Sequence, residues 1–137
     1  QGELVKALRG MAAILKPGGL LVLHNLNYDR RWKVRPRWFA AQGGVLDGEE
    51  VLVWRFADYH EDTLDIAFNI ALFRKRPAGW QVEVHTTPHR PLFERDLRIA
   101  LEEVGFAEVQ SYGAMAWPAP AFDAVASGDL VVVARRL

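Results

Sequence analysis

The sequence contains no cysteine. That absence excludes disulfides, thiolate metal sites and a cysteine nucleophile. It also lacks an excess of either charge, with 17 lysines and arginines against 17 aspartates and glutamates. No global field therefore recruits nucleic acid, an anionic membrane or an acidic partner. No apolar run approaches the roughly 18 to 20 residues needed to span a bilayer. No secretory signal is visible. A cytoplasmic location away from membranes is the expectation. The chain opens on Gln1 with no initiating methionine, and helix-like residues follow at once. We therefore expect a fragment or a processed product.

What remains is the composition of a globular domain, 50% hydrophobic and 25% charged over 137 residues. From Glu3 to Leu15 apolar residues recur at helical spacing: Leu4, Ala7, Leu8, Met11 and Leu15, with Ala12 and Ile14 widening the stripe. Lys16-Pro17-Gly18-Gly19 stops that helix. Leu20 to Leu23 is a short continuous apolar run, which predicts a strand buried on both faces. Asn27 to Gly48 reads as a long excursion with at most a short helix near Trp38. Three alternating runs follow, Val51 to Tyr59, Leu64 to Phe73 and Trp80 to Thr86. Leu52, Trp54 and Phe56, then Leu64, Ile66, Phe68, Ile70 and Leu72, then Trp80, Val82 and Val84, predict an antiparallel meander with one apolar face. Phe93 to Val104 returns to helical spacing and ends on Gly105. Phe106 to Tyr112 and Leu130 to Ala134 read as the last two strands.

Three candidate sites emerge from the residues. His24, Asn25, Asn27 and Tyr28 end the first apolar strand, the edge at which open α/β sheets bind ligands. They are candidate substrate-binding residues, with His24 able to act as a base near neutral pH. The alternative is that they cap the strand and satisfy loop backbone. The run from Arg30 to Trp38 alternates basic and aromatic side chains. It could grip phosphates and stack on bases, or lie on a membrane surface, but the balanced charge favours a solvated loop packed on the meander or a neighbouring subunit. Arg55, facing away from Trp54 and Phe56, is expected to pair with Asp58 or Glu50, the alternative being that it reaches the pocket. His60, His85 and His89 lack the spacing of a metal-ligand set, so no metal is expected. Trp54, Phe56, Phe68 and Trp117 could line an apolar pocket.

The run from Leu15 to Asp29 resembles the helix, turn and fifth strand of class I S-adenosylmethionine-dependent methyltransferases. Leu97 to Val109 resembles the helix entering their sixth strand. Ser127 to Arg136 resembles the seventh, antiparallel strand. The triplet Asn27-Tyr28-Asp29 is similar to one in glycine N-methyltransferases, although Leu26 stands where those enzymes carry a carboxylate-binding arginine. The resemblance implies an α/β fold: the C-terminal portion of a Rossmann-like methyltransferase sheet with an inserted three-stranded antiparallel meander. Residues 1–29 would supply helix, turn and fifth strand, 30–91 the insertion, and 92–137 the last helix with the sixth and seventh strands. It further implies a small-molecule methyl acceptor and S-adenosylmethionine as cofactor of the complete enzyme. The glycine-rich loop and ribose-binding acid that hold that cofactor have no counterpart in these residues. This chain alone is therefore expected to be inactive, and its uncovered sheet to promote homo-oligomers. A nucleic-acid methyltransferase and a non-enzymatic α+β binding module are the competing readings.

Overall fold

The computed structural model describes residues 2–137. The elements, in order, are α1 (Gly2–Ile14), β1 (Leu20–Leu26), α2 (Tyr28–Val34), β2 (Gln42–Leu46), β3 (Glu49–His60), β4 (Asp65–Arg76), β5 (Gly79–His89), α3 (Glu94–Glu103), β6 (Phe106–Tyr112) and β7 (Asp129–Arg136). They form two compact units. One comprises the described residues through Val34 together with Leu92–Leu137; the other is Arg35–Pro91.

The first unit is built on a three-stranded sheet in the order β1-β7-β6, with β7 antiparallel to both neighbours. Strands β1 and β6 therefore run in the same direction, each preceded by a helix. Leu8 of α1 and Leu97, Ala100 and Leu101 of α3 are buried against Phe106, Leu130, Val132 and Ala134. These are the residues that helical and strand periodicity send to one side. Val5 belongs to this core although the expected stripe omits it, and Met11 and Ile14 of that stripe are exposed. Gly105 closes α3 with φ +90°, a left-handed conformation that a side chain would strain. Its role as the helix stop holds.

The expectation of a strand buried on both faces is corrected. Along β1 burial alternates, and Leu20 and Val22 are each about half exposed, at 53% and 52%. Leu21 and Leu23 pack against the helices, whereas Leu20, Val22, His24 and Leu26 turn the other way. A continuous apolar run records that both faces are apolar, not that both are covered.

The second unit is a four-stranded antiparallel sheet in the order β2-β3-β4-β5. The three strands expected in sequence order are all present. A fourth, β2, adds on at the edge, from residues read as loop because Gly43 and Gly44 carry no alternation. The excursion from Asn27 to Gly48 is thus more ordered than expected. It contains α2 and β2, and Trp38 forms an isolated bridge to Phe56 in place of a helix. Leu64 lies in the turn before β4, with φ +55°, and is not a strand residue.

The single apolar face is also corrected. Cross-strand partners share a face, and Trp54 pairs with Ala71, which pairs with Val84. Phe56 likewise pairs with Asn69 and Asn69 with Thr86. Ile66, Phe68, Ile70 and Leu72 therefore lie on the opposite face from Trp54 and Phe56, beside Val53 and Ala57. Both faces carry apolar rows. Alternation gives the period of each strand, while register decides which rows meet.

Burial ranks the two units' apolar anchors. Leu101 is 0% exposed, whereas Phe68 is half-buried, with an edge contact to Phe39 and a stack on His89. Leu101→Ala should lose about 2 to 5 kcal/mol of stability. Phe68→Ala should lose less, about 1 to 3 kcal/mol, because its ring is only partly buried. Urea unfolding of the two variants checks the order, and a larger loss for Phe68→Ala would contradict it.

Candidate functional site

The four residues at the end of β1 do not converge on one point. His24 lies on the outward row of β1, with its Nε2 3.4 Å from Asp129 Oδ2 and its side chain 49% exposed. It pairs across the ladder with Val131. Asn25 pairs with Leu130 on the helix-covered face. Tyr28 is half-buried and opens α2.

Asn27 is 2% exposed and fully engaged by the protein. Its Oδ1 accepts from Arg30 N–H at 3.1 Å, the bond of an N-cap residue to the third helical position. Its Nδ2 donates to the carbonyls of Ser127 at 2.9 Å and of Asp123 and Ala124 at 3.3 Å. The backbone N–H of Asn27 adds a bond to Gly128 O at 3.1 Å. One side chain thus starts α2 and clasps the loop that leads into β7. The protein thus holds both the oxygen and the nitrogen of this amide.

The loop it clasps is tightly wound. Asp123 Oδ1 accepts from Val125 N–H at 2.7 Å and Ala126 N–H at 2.9 Å. The amides of Ala126 and then Val125 hold the Asp123 carboxyl below its ordinary range. A lowered carboxyl supports the loop above its unfolded pKa, and that support fades as pH falls through the folded value. Gly113 lies so close to Ser127 Oγ that no Cβ fits there.

Asp29 belongs to the Asn27-Tyr28-Asp29 triplet but is not among the candidate substrate-binding residues. Its Oδ2 accepts from Glu94 N–H at 3.0 Å, which caps α3 from 65 residues away. Phe93, the residue at the α3 cap position, provides no side-chain bond. Local sequence gives no signal for a cap supplied from so far along the chain. Asp129, the partner of His24, was missed for the same reason.

A cleft of about 630 Å³ opens on the outward face of the first unit's sheet. Val22, Val131, Val133 and Tyr112 form its floor, and Met115, Trp117 and Pro118 its rim. Trp117 is 95% exposed. His24 stands two residues beyond Val22 on the same row of β1. Of the aromatic residues expected to line one pocket, only Trp117 lines this cleft. Trp54 and Phe56 share one face of the inserted sheet, and Phe68 lies on the other.

The basic-aromatic run is largely accounted for within the protein. Arg37 pairs with Asp58 at 2.8 Å and lies over the Trp38 ring, and Arg35 pairs with Glu61. Trp38 stacks on Trp54 with ring centroids 5.3 Å apart. Arg55 meets neither expected partner, because Asp58 and Glu50, at odd offsets along β3, project from the opposite face of the strand, where they pair with Arg37 and Lys75. It bonds Gln42 instead.

The double duty of Asn27 has a measurable consequence. Asn27→Ala should cost about 2 to 4 kcal/mol, combining a lost cap with carbonyls left unpaired. Asn27→Ser keeps a capping oxygen and should recover about 1 kcal/mol of that. Unfolding followed by tryptophan fluorescence checks both, and equal loss in the two variants would mean that the cap contributes nothing.

No protein-family profile matches the chain, and no curated protein does. Solved structures do. The chain is similar to the CcbJ methyltransferase from Streptomyces caelestis, with TM-score 0.67 and 16% identity over 97% of this chain and 52% of that one. It is similar to S-adenosylmethionine-bound CalS10, an amino pentose methyltransferase from Micromonospora echinaspora, with TM-score 0.66 and 18% identity over 99% and 51%. The sugar N-methyltransferase KedS8 from Streptoalloteichus matches with TM-score 0.66 and 19% identity over 98% and 49%. The chain spans about half the length of each of these structures. With β7 antiparallel between β1 and β6 and an antiparallel sheet inserted after β1, the chain has the fold of the C-terminal portion of class I S-adenosylmethionine-dependent methyltransferases.

Proposed function

We propose that this chain is the acceptor-side half of an enzyme that moves a methyl group from S-adenosylmethionine to a small molecule. The observation that carries the reading is the strand order β1-β7-β6 with its inserted sheet, superposable on methyltransferases over nearly all of the chain. The names of CalS10 and KedS8 make amino sugars the first acceptors to test.

The residues present do not fit a cradle for the cofactor. Gly18 and Gly19 precede β1 and are used up in a turn: Gly18 N–H donates to Arg136 O at 2.8 Å, and a Cβ on Gly19 would meet Lys16 O at 2.8 Å. We assign the cofactor's grip to a part of the enzyme outside these residues. S-adenosylmethionine, when bound, supplies an electrophilic methyl group.

This chain's residues would orient the acceptor and take up its proton. Proximity and alignment carry much of the rate in such displacements. His24 faces outward beside the apolar cleft, and Asp129 stands at its Nε2. That contact leaves Nδ1 as the nitrogen to receive a proton from the acceptor. Asn25 and Tyr28 complete the proposed substrate edge, and Asn27 holds it in place. No helix among the described residues is long and apolar enough to cross a membrane.

Association belongs to the same proposal. Leu20, Val22 and Leu26 are exposed on β1, which is an edge strand among the described residues. Such surfaces recruit other chains.

Calorimetry of this chain with S-adenosylmethionine should show no binding in the low micromolar range. Affinity there would overturn the division of labour. In a longer polypeptide containing this chain, formation of S-adenosylhomocysteine with amino sugars is expected. His24→Gln should lower turnover about 100-fold or more if the imidazole takes the proton. Unchanged turnover would remove His24 from the reaction. Light scattering of the isolated chain at tens of micromolar should give at least a dimer, and a stable monomer would count against association.

A further inference from the structure

Arg55 occupies an unusual place on the inserted sheet. Its cross-strand partner is Ile70, and Val53 and Ala57 are its neighbours along β3 on the same face. It takes part in no ion pair among the described residues. The Nη2 donates to Gln42 Oε1 at 3.1 Å. The Nε is buried and has no acceptor, the one such side-chain atom among the described residues. A buried donor without a partner is costly, the more so on a cation.

The chemistry of guanidinium explains what is missing. Nε–H and one Nη–H lie parallel along one edge, spaced to meet two oxygens of a carboxylate or phosphate. Here Gln42 brings a single, neutral oxygen to Nη2 and leaves Nε unmet. A cleft of about 380 Å³ adjoins the group, lined by Gln42, Gly43, Gly44, Val51, Val53 and Leu72 together with Arg55. None of these carries a negative charge. A Cβ on Gly44 would meet nothing within 4 Å, so the β2 side of the cleft is open space.

We propose that Arg55 and this cleft form a binding site for a small ligand bearing an oxyanion, either a carboxylate or a phosphate group. Two ligand oxygens replace the Gln42 amide and satisfy both donors of the guanidinium edge. The ligand also supplies the counter-charge that the protein withholds. The site is contained in the inserted unit and does not depend on methyl transfer.

The test is thermal unfolding of this chain in inorganic phosphate, acetate and chloride at equal ionic strength. Phosphate or acetate should raise Tm in a saturable way that chloride does not, as expected for a ligand that binds only the folded state. A stronger response to phosphate identifies a phosphate site, and a stronger response to acetate a carboxylate site. Arg55→Gln should abolish the response. Gln42→Ala, which removes the competing acceptor, should tighten binding about 3- to 10-fold. Gln42→Glu places a carboxylate on the fork from within, so Tm should rise and the anion response vanish. Should Arg55→Gln fail to fold, the two Gln42 variants still decide. Equal effects of all three salts, an equal response in Arg55→Gln, or a response that survives Gln42→Glu would overturn the proposal.

Discussion

The double pairing of β7 is the constraint on which the first unit depends. Leu20 to Leu26 pair along one edge of this strand and Phe106 to Tyr112 along the other. Leu130, Val132 and Ala134 are at most 1% exposed beneath the two helices. With both edges satisfied and one face buried, a shift of register would expose the whole inward row. The strand's two ends are fixed as well. Asn27 grips the loop before it, and at its far end Arg136 exchanges backbone bonds with Gly18 and Gly19. The Pro-Gly-Gly turn is therefore both the stop of α1 and the anchor of β7.

This arrangement separates scaffold from surface within a single polar cluster. Asn27 and Asp29 are consumed by helix caps, one for α2 and one for α3. A third set, Glu94, Arg98 and Ser111, ties α3 to β6 through bonds of 2.7 to 3.3 Å. His24, one row outward, stays half in water beside an acidic partner. Residues adjacent in sequence thus serve different ends because a strand sends them to opposite faces.

The inserted sheet holds together by other means. Its rim carries ion pairs, such as Lys75 with Glu50 and Arg90 with Asp65, which are exposed and contribute little each. Its coherence comes from long ladders and from aromatic stacking of Trp38, Trp54 and Phe56. Asn69, 6% exposed, is the polar exception. It donates to Asp58 at 3.2 Å and accepts from Thr86 at 2.7 Å, so its burial is satisfied.

Sequence alone determined the type and order of every element except α2 and β2, and the resemblance that groups β1, β6 and β7 as a methyltransferase sheet. Those follow from local periodicity, from Pro17-Gly18-Gly19 and from Gly105, where backbone chemistry acts on neighbouring residues. Tertiary structure decided the rest. Register, which no single strand encodes, put Trp54 and Phe68 on opposite faces. Pairing with β3 made a strand of glycine-containing residues that lack any pattern of their own. The duties of Asn27, Asp29 and Arg55 were fixed by partners 65 to 100 residues away for the first two, and for Arg55 by the charge it fails to meet. Periodicity is a property of one segment; a cap, a clasp or an unpaired cation exists only when distant segments meet.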